Sequence, residues 1–396
     1  MRKVSCPYCY HKVDGHRLWY QCAGRGSPGK KQCEAEKDAD RARETGFSEG
    51  VRPSFGIQTR SPFWPARATC PRCGGETGIR VCPRCHTPVS ANFGATRSPL
   101  IAMVGAKGTG KTVYLNVLAR ELLHGLRRRF DADVRLSGTG QRAAVTEKLA
   151  IDNVFADLRL MAHTATALNG RRPPAVFEWR REQPRIAGIR RGYRTTFLSF
   201  YDTAGEDLTS QDQTHDLVYL GAADALILLL DPFMIPRAHS LLRLPQEAVR
   251  SEESTVDVVN RVTEKLRASH GIRSRRRIKI PVAVVFAKID AYFDVLGADH
   301  PLVRPAPANG AYDEAAGQAT HEQVRALLYD WGADDIDAHL RYNYAKFRYF
   351  AVSSLGAPPD YATGDVDRGG VRPFRVDEPL LWLLSGFKVV PSRGRP

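Results

Sequence analysis

Gly105-Ala106-Lys107-Gly108-Thr109-Gly110-Lys111-Thr112 fits the pattern G-x-x-x-x-G-K-[ST]. It stands between an apolar run, Leu100 to Val104, and an amphipathic stretch, Thr112 to Leu123, which read as a buried strand and a helix. A glycine-rich turn at that junction can curl its backbone N–H groups around a phosphate at the helix N-terminus. Lys111 would then bring a point charge to the terminal phosphates, and the Thr112 hydroxyl would give a magnesium ion a hard oxygen ligand. Eight cysteines supply a second chemistry. Cys70-Pro71-Arg72-Cys73 and Cys82-Pro83-Arg84-Cys85 are two Cys-x-x-Cys knuckles around a short Gly-rich turn, the layout of a compact zinc ribbon. Cys6-Pro7-Tyr8-Cys9, with Cys22 and Cys33 at looser spacing, forms the other group. Taken in chain order, each group of four would close around its own Zn²⁺. His11, His16 and His86 stay outside the ligand sets, because a lone histidine beside a metal pair is more often a surface residue.

A phosphate loop does not choose a base, so later motifs carry that decision. Phe200-Tyr201-Asp202-Thr203-Ala204-Gly205 closes an apolar strand, with Asp202 placed for the magnesium shell and the Gly205 N–H for a γ-phosphate. Phe286-Ala287-Lys288-Ile289-Asp290 follows another buried run. There the Asp290 carboxylate could accept from the N1 and exocyclic amine of guanine, a donor pair adenine lacks, while Lys288 would lie along base and ribose. Ser353-Ser354-Leu355 again follows a strand and could offer backbone donors to the guanine O6.

With these four motifs in order, residues 97–390 resemble the small-GTPase-like (TRAFAC) branch of P-loop GTPases. The resemblance implies GTP/GDP and Mg²⁺ as ligands and slow hydrolysis by an in-line water. With the cysteine-rich segment in front, the layout resembles bacterial double-GTPase proteins of conflict or defence systems, which implies a second GTPase as partner. Three positions depart from the pattern. Glu206 stands where a water-orienting glutamine is common, and its carboxylate brings negative charge toward the γ-phosphate. Ala287 replaces the asparagine or threonine usual before Lys288, and Lys107 occupies a loop position often held by glycine. The switch I threonine is not placed by sequence: Thr164 and Thr166 are candidates, and Thr195 and Thr196 lie far into the strand leading to Asp202. An ATPase of the P-loop class and a nucleotide-binding scaffold without turnover are the alternatives.

These motifs require an α/β domain, a P-loop NTPase three-layer sandwich with a mostly parallel sheet, behind small zinc-ribbon modules. Expected strands are Leu100 to Val104, Ala175 to Arg180, Thr195 to Tyr201, Ala225 to Leu230, Val282 to Phe286 and Phe347 to Val352. Expected helices are Thr112 to Leu123, Gln141 to Met161, Thr255 to Ser269, Glu322 to Trp331 and Leu380 to Leu384. The expected organisation is a first cysteine module over 1–37, a linker over 38–68 with an aromatic anchor near Trp64, a second zinc ribbon over 69–96, and the nucleotide domain over 97–390 with a helical insertion near 140–170.

The 58 Lys plus Arg against 43 Asp plus Glu leave a formal charge of +15. The arginine clusters are scattered and lack interleaved aromatics, so protein partners are favoured over nucleic acid. No apolar run approaches the ~18 residues of a membrane span, since Ala225 to Leu230 stops at Asp231. Without a secretory leader pattern the expected compartment is the cytoplasm, where thiols stay reduced and Cys-x-x-Cys pairs favour metal over disulfides.

Overall fold

The computed structural model describes residues 3–59, 64–90, 93–94, 98–137, 174–182, 193–200, 213–245, 248 and 253–394. The chain divides into two compact units: Met1–Leu100 with Arg135–Val145 and Ala167–Tyr201, and Ile101–Val134 with Thr146–Thr166 and Asp202–Pro396.

The first unit is made of short hairpins whose turns are the cysteine knuckles. Lys3–Ser5 and Lys12–Asp14 pair antiparallel around the turn carrying Cys6 and Cys9. Ala68–Thr69 and Glu76–Thr77 do the same around Cys70 and Cys73. Arg80–Val81 and Pro88–Val89 enclose Cys82 and Cys85, and belong to a four-stranded sheet ordered Ser54–Phe55, Trp19–Gln21, Arg80–Val81, Pro88–Val89. The stretch expected as a linker thus contributes a strand, and also a helix, Ala39–Thr45, whose first turn is capped by the Asp38 carboxylate accepting from Arg41 N. Trp64 does act as an anchor: its indole N–H donates to Leu18 O at 2.7 Å, and its ring packs against the Tyr20, Cys22, Phe55, Cys70 and Cys73 cluster.

The same unit holds a long antiparallel pair, Ala175–Glu182 with Tyr193–Phe200, in the register Ala175 to Phe200 and Glu182 to Tyr193. The first strand runs past its expected end and the second begins before its expected start, because the ladder continues through polar residues, Arg181 with Arg194 and Glu182 with Tyr193, toward the end where the two strands are connected. The Cys6–Cys9 knuckle sits on this pair. The Ser199 hydroxyl donates to Pro7 O at 2.6 Å, and the fully buried Tyr8 donates its hydroxyl to Ser137 Oγ at 2.7 Å.

The second unit is the α/β part. Four parallel strands, Phe347–Ala351, Val282–Phe286, Ala225–Leu230 and Ile101–Gly105, lie side by side in that order. The two inner strands and Ile101–Gly105 are buried along their whole length, as strands covered on both faces must be. Helix Glu378–Gly386 packs on the two inner strands, Glu314–Asp330 on Phe347–Ala351, and Lys111–Glu121 on Ile101–Gly105. Thr255–His270 matches expectation within a residue; Ser254 caps its start by accepting from Asp257 N, and Gly271 ends it at φ 61°. Helix Glu314–Asp330 begins earlier than its apolar spacing suggests, because Asp313 accepts from Ala316 N and starts the helix there. Helices Gln213–Ala222 and Asp334–Asn343 were not expected; the second opens with Asp334, Asp335 and Asp337 and buries only Ile336 and Leu340 as apolar residues. The helix expected over Gln141 to Met161 lies outside the described residues. Among the described residues no helix is long and apolar enough to cross a membrane.

Leu228 is fully buried at the middle of an inner strand. Leu228→Ala is expected to lower unfolding free energy by about 3–5 kcal/mol through the cavity it leaves, measured by urea denaturation of the second unit's transition.

Candidate functional site

Parallel strands place all their C-terminal ends on one edge, and here each of the four carries a polar motif. Gly105 ends the first and opens the glycine-rich loop. A Cβ on Gly105 would stand 2.6 Å from Leu229 O, so the loop leaves the sheet where a side chain does not fit. Gly108 and Gly110 adopt φ of 77° and 85°, the left-handed region that glycine enters without steric cost. Gly110 is the N-cap of helix Lys111–Glu121 and its carbonyl accepts from Tyr114 N at 2.8 Å. The Thr109 hydroxyl donates to Ala106 O at 2.9 Å and braces the loop from within. Lys111 is 7% exposed, and its ammonium donates to Gly105 O at 2.9 Å and Ala106 O at 2.7 Å. The lysine thus lies folded over its own loop. Thr112 is half-buried in the first helical turn, and Lys107 is exposed.

The next strand, Ala225–Leu230, ends at Asp231, a 6% exposed carboxylate that the sequence marks only as the stop of an apolar run. Its Oδ1 accepts from Phe233 N at 3.0 Å, and its Oδ2 accepts from Lys288 Nζ at 2.5 Å. Lys288 follows the third strand in left-handed geometry, φ 57° and ψ 29°, with its ammonium 4.7 Å from the Phe233 ring centroid. Two residues on, Asp290 is hydrogen-bonded by Ser353 from the end of the fourth strand. Burial pushes the Asp290 carboxyl above its ordinary range, while the Ser353 hydrogen bond and the Lys288 charge hold it back. Ser353 is 1% exposed; its hydroxyl also accepts from Gly356 N at 2.7 Å, and its backbone is bonded both ways to Phe374. Ser354 and Leu355 are half-buried, and the Leu355 carbonyl accepts from Arg372 N at 2.8 Å. Tyr292, fully buried between Phe233 and Trp331, has a hydroxyl without a hydrogen-bond partner among the described residues.

The structure therefore brings together Lys288, Asp290 and Ser353, and adds Asp231 and Phe233, which sequence reasoning missed. Asp202, Gly205, Glu206, Thr164 and Thr166 lie outside the described residues. Thr195 and Thr196 are buried inside the strand Tyr193–Phe200, as expected of residues deep in that strand.

The cysteines form two buried groups, and their membership corrects the chain-order reading. Cys6, Cys9, Cys82 and Cys85 make one; Cys22, Cys33, Cys70 and Cys73 make the other, with the sulfurs of each within 4.8 Å of one another. The cause is the antiparallel pairing of Trp19–Gln21 with Arg80–Val81. It sets Cys22, after one strand, near what precedes the other, and Cys82 near what precedes Trp19. The Sγ separations are 3.8 Å for Cys6 to Cys85, 3.9 Å for Cys9 to Cys82, 3.5 Å for Cys22 to Cys73 and 4.0 Å for Cys33 to Cys70. A tetrahedron of sulfurs at a Zn–S distance of ~2.3 Å has edges of ~3.8 Å, so both groups fit Zn²⁺. The distances are far from bonding, and all eight thiols are free. His11 and His86 have other partners: His11 Nδ1 contacts Cys9 O, and His86 bonds Asp38 at 2.8 Å while stacking on Trp19.

No family model matches the chain. It is 28% identical over 361 residues, 84% of this chain and 87% of the relative, to a Mycolicibacterium smegmatis protein described as "Putative ESX-1 scaffolding and assembly protein SaeC". Among solved structures it is similar to a chain of the signal recognition particle receptor SRb-GTP/SRX complex from Chaetomium thermophilum. That match has 13% identity, 67% of this chain and 94% of the other covered, and a TM-score of 0.28, an overlap too loose to bear on fold or function.

The crossed membership of the cysteine groups makes a direct prediction. Elemental analysis should find about two zinc ions per chain, and the Cys82→Ser/Cys85→Ser variant about one. In that variant Cys6 and Cys9 become reactive toward a thiol reagent while Cys22 and Cys33 stay protected. Exposure of Cys70 and Cys73 instead would restore the chain-order grouping.

Proposed function

We propose that the chain is a guanine-nucleotide-binding switch, with Mg²⁺ at Thr112 and Asp202, whose output is the assembly of protein partners through a zinc-stabilised N-terminal unit. The observation that carries this reading is the delivery of the phosphate loop, Asp231, Lys288 with Asp290, and Ser353 to one edge by four neighbouring parallel strands. In this reading the loop N–H groups and Lys111 hold the phosphates. Asp290 accepts from the guanine N1 and amine, and the Ser353–Leu355 backbone faces O6. Hydrolysis, where it occurs, is slow in this reading, because Glu206 stands in the sequence where a water-orienting glutamine is common and carries a carboxylate in place of the amide.

Support for an assembly output comes from the scaffolding and assembly description of the Mycolicibacterium smegmatis relative. The defence-system setting and second GTPase partner implied by the sequence resemblance are a finer version of the same output. The relative's description also favours a second reading, a scaffold that holds GTP or GDP without useful turnover. Glu206→Gln separates the two: a rise in steady-state phosphate release marks a restrained GTPase, and an unchanged zero rate marks the scaffold.

Calorimetry with GTP, GDP and ATP in magnesium tests the main reading. Lys111→Ala should weaken GTP and GDP binding by about 10- to 100-fold, the value of hydrogen bonds to a charged group; unaltered affinity would end the phosphate-loop assignment. Asp290→Asn should lower the preference for GTP over ATP and admit xanthine nucleotides, and a preserved preference would end the base assignment. The pH dependence has a definite sign. Only the ionised Asp290 accepts from both guanine donors, and burial raises its pKa. Guanine-nucleotide affinity should therefore be full at neutral pH and fall on acidification at a higher pH than an ordinary aspartate would dictate, a decline absent in Asp290→Asn.

A further inference from the structure

We propose that Asp231 is a positioning residue for base recognition, holding the Lys288 ammonium and with it the turn that presents Asp290; this rests on the nucleotide-binding reading above. The carboxylate is buried, with its side chain 7% exposed, and both oxygens are engaged, one by Phe233 N and the other by Lys288 Nζ. A buried charge of that kind is held in place by its partners and not by solvent. Lys288 in turn occupies a left-handed backbone conformation that lysine rarely adopts, and such conformations persist only where the surroundings over-determine them. Three contacts do so here. Ala287 N donates to Leu230 O at 3.0 Å, Ile289 N donates to Val352 O at 3.2 Å, and the ammonium is tied to Asp231.

The backbone bonds fix the residues on either side, and the ion pair fixes the side chain at the strained position itself. With its ammonium tethered, the four-carbon stem of Lys288 is stretched between two strand ends and offers an apolar edge to a flat purine ring. Asp290, two residues later, inherits the direction that this turn gives the chain. The ligand chemistry is that of a purine nucleoside moiety; the phosphates are bound elsewhere, by the glycine-rich loop.

Asp231→Asn is the informative variant, because the asparagine oxygen can still accept from Phe233 N while the charge that holds Lys288 is gone. Binding of GDP and of inorganic tripolyphosphate is measured on the full chain, for Asp231→Asn, Lys288→Met and the double variant. The expected result is a loss of about 10-fold in GDP affinity in each single variant, no change for tripolyphosphate, and no further loss in the double variant. Equal losses for GDP and tripolyphosphate would reveal a merely structural bridge and overturn the proposal, as would additive losses or unchanged GDP affinity. Wild-type protein that binds ADP as tightly as GDP would defeat the guanine reading alone, since the Asp231 to Lys288 coupling is then read with either nucleotide.

Discussion

Everything polar in the second unit depends on the register of four parallel strands. Gly105 is level with Leu229, Leu230 with Phe286, and Phe286 with Ala351. The apolar runs consequently end together, and the residue after each run leaves the sheet at the same edge. A shift of one residue in any strand would turn its side chains to the opposite face and move its motif along the edge. The burial of Leu226 to Leu230 and Val282 to Val285 on both faces holds the sheet in register. The chemistry of the edge is thus secured by hydrophobic packing several residues away from it.

The first unit solves a different problem. Apart from the Ala175–Glu182 and Tyr193–Phe200 pair and the strand Ala132–Leu136, its described strands are two or three residues long, too short to bury much apolar surface. Two four-cysteine groups add to a small core of aromatic contacts, such as Tyr20 with Phe55 and Trp64 at the Leu18 carbonyl.

Much of the parallel sheet was legible because Val, Ile and Leu runs bounded by polar residues have few other solutions. The strand Ala225–Leu230 and the strand Val282–Phe286 agree with the sequence reading to the residue. Helix Asp334–Asn343 was hidden because its stability comes from contacts of Ile336, Leu340 and the buried Asp337, which bonds Tyr349 at 3.0 Å, and not from a continuous apolar stripe. The cysteine grouping was illegible for a topological reason: spacing along the chain reports which sulfurs share a knuckle, whereas strand pairing decides which cysteines come together in one group of four. Asp231 was visible only as an interruption, because nothing local to it announces a lysine far along the chain.

The crossed cysteines also constrain how the protein can be made. Each four-cysteine group draws two members from before residue 34 and two from after residue 69. During synthesis neither group is complete until Cys73 has emerged for one and Cys85 for the other, so the four cysteines up to Cys33 emerge well before the other half of their groups. A fragment cut anywhere between Cys33 and Cys70 would carry half of both groups and the whole of neither.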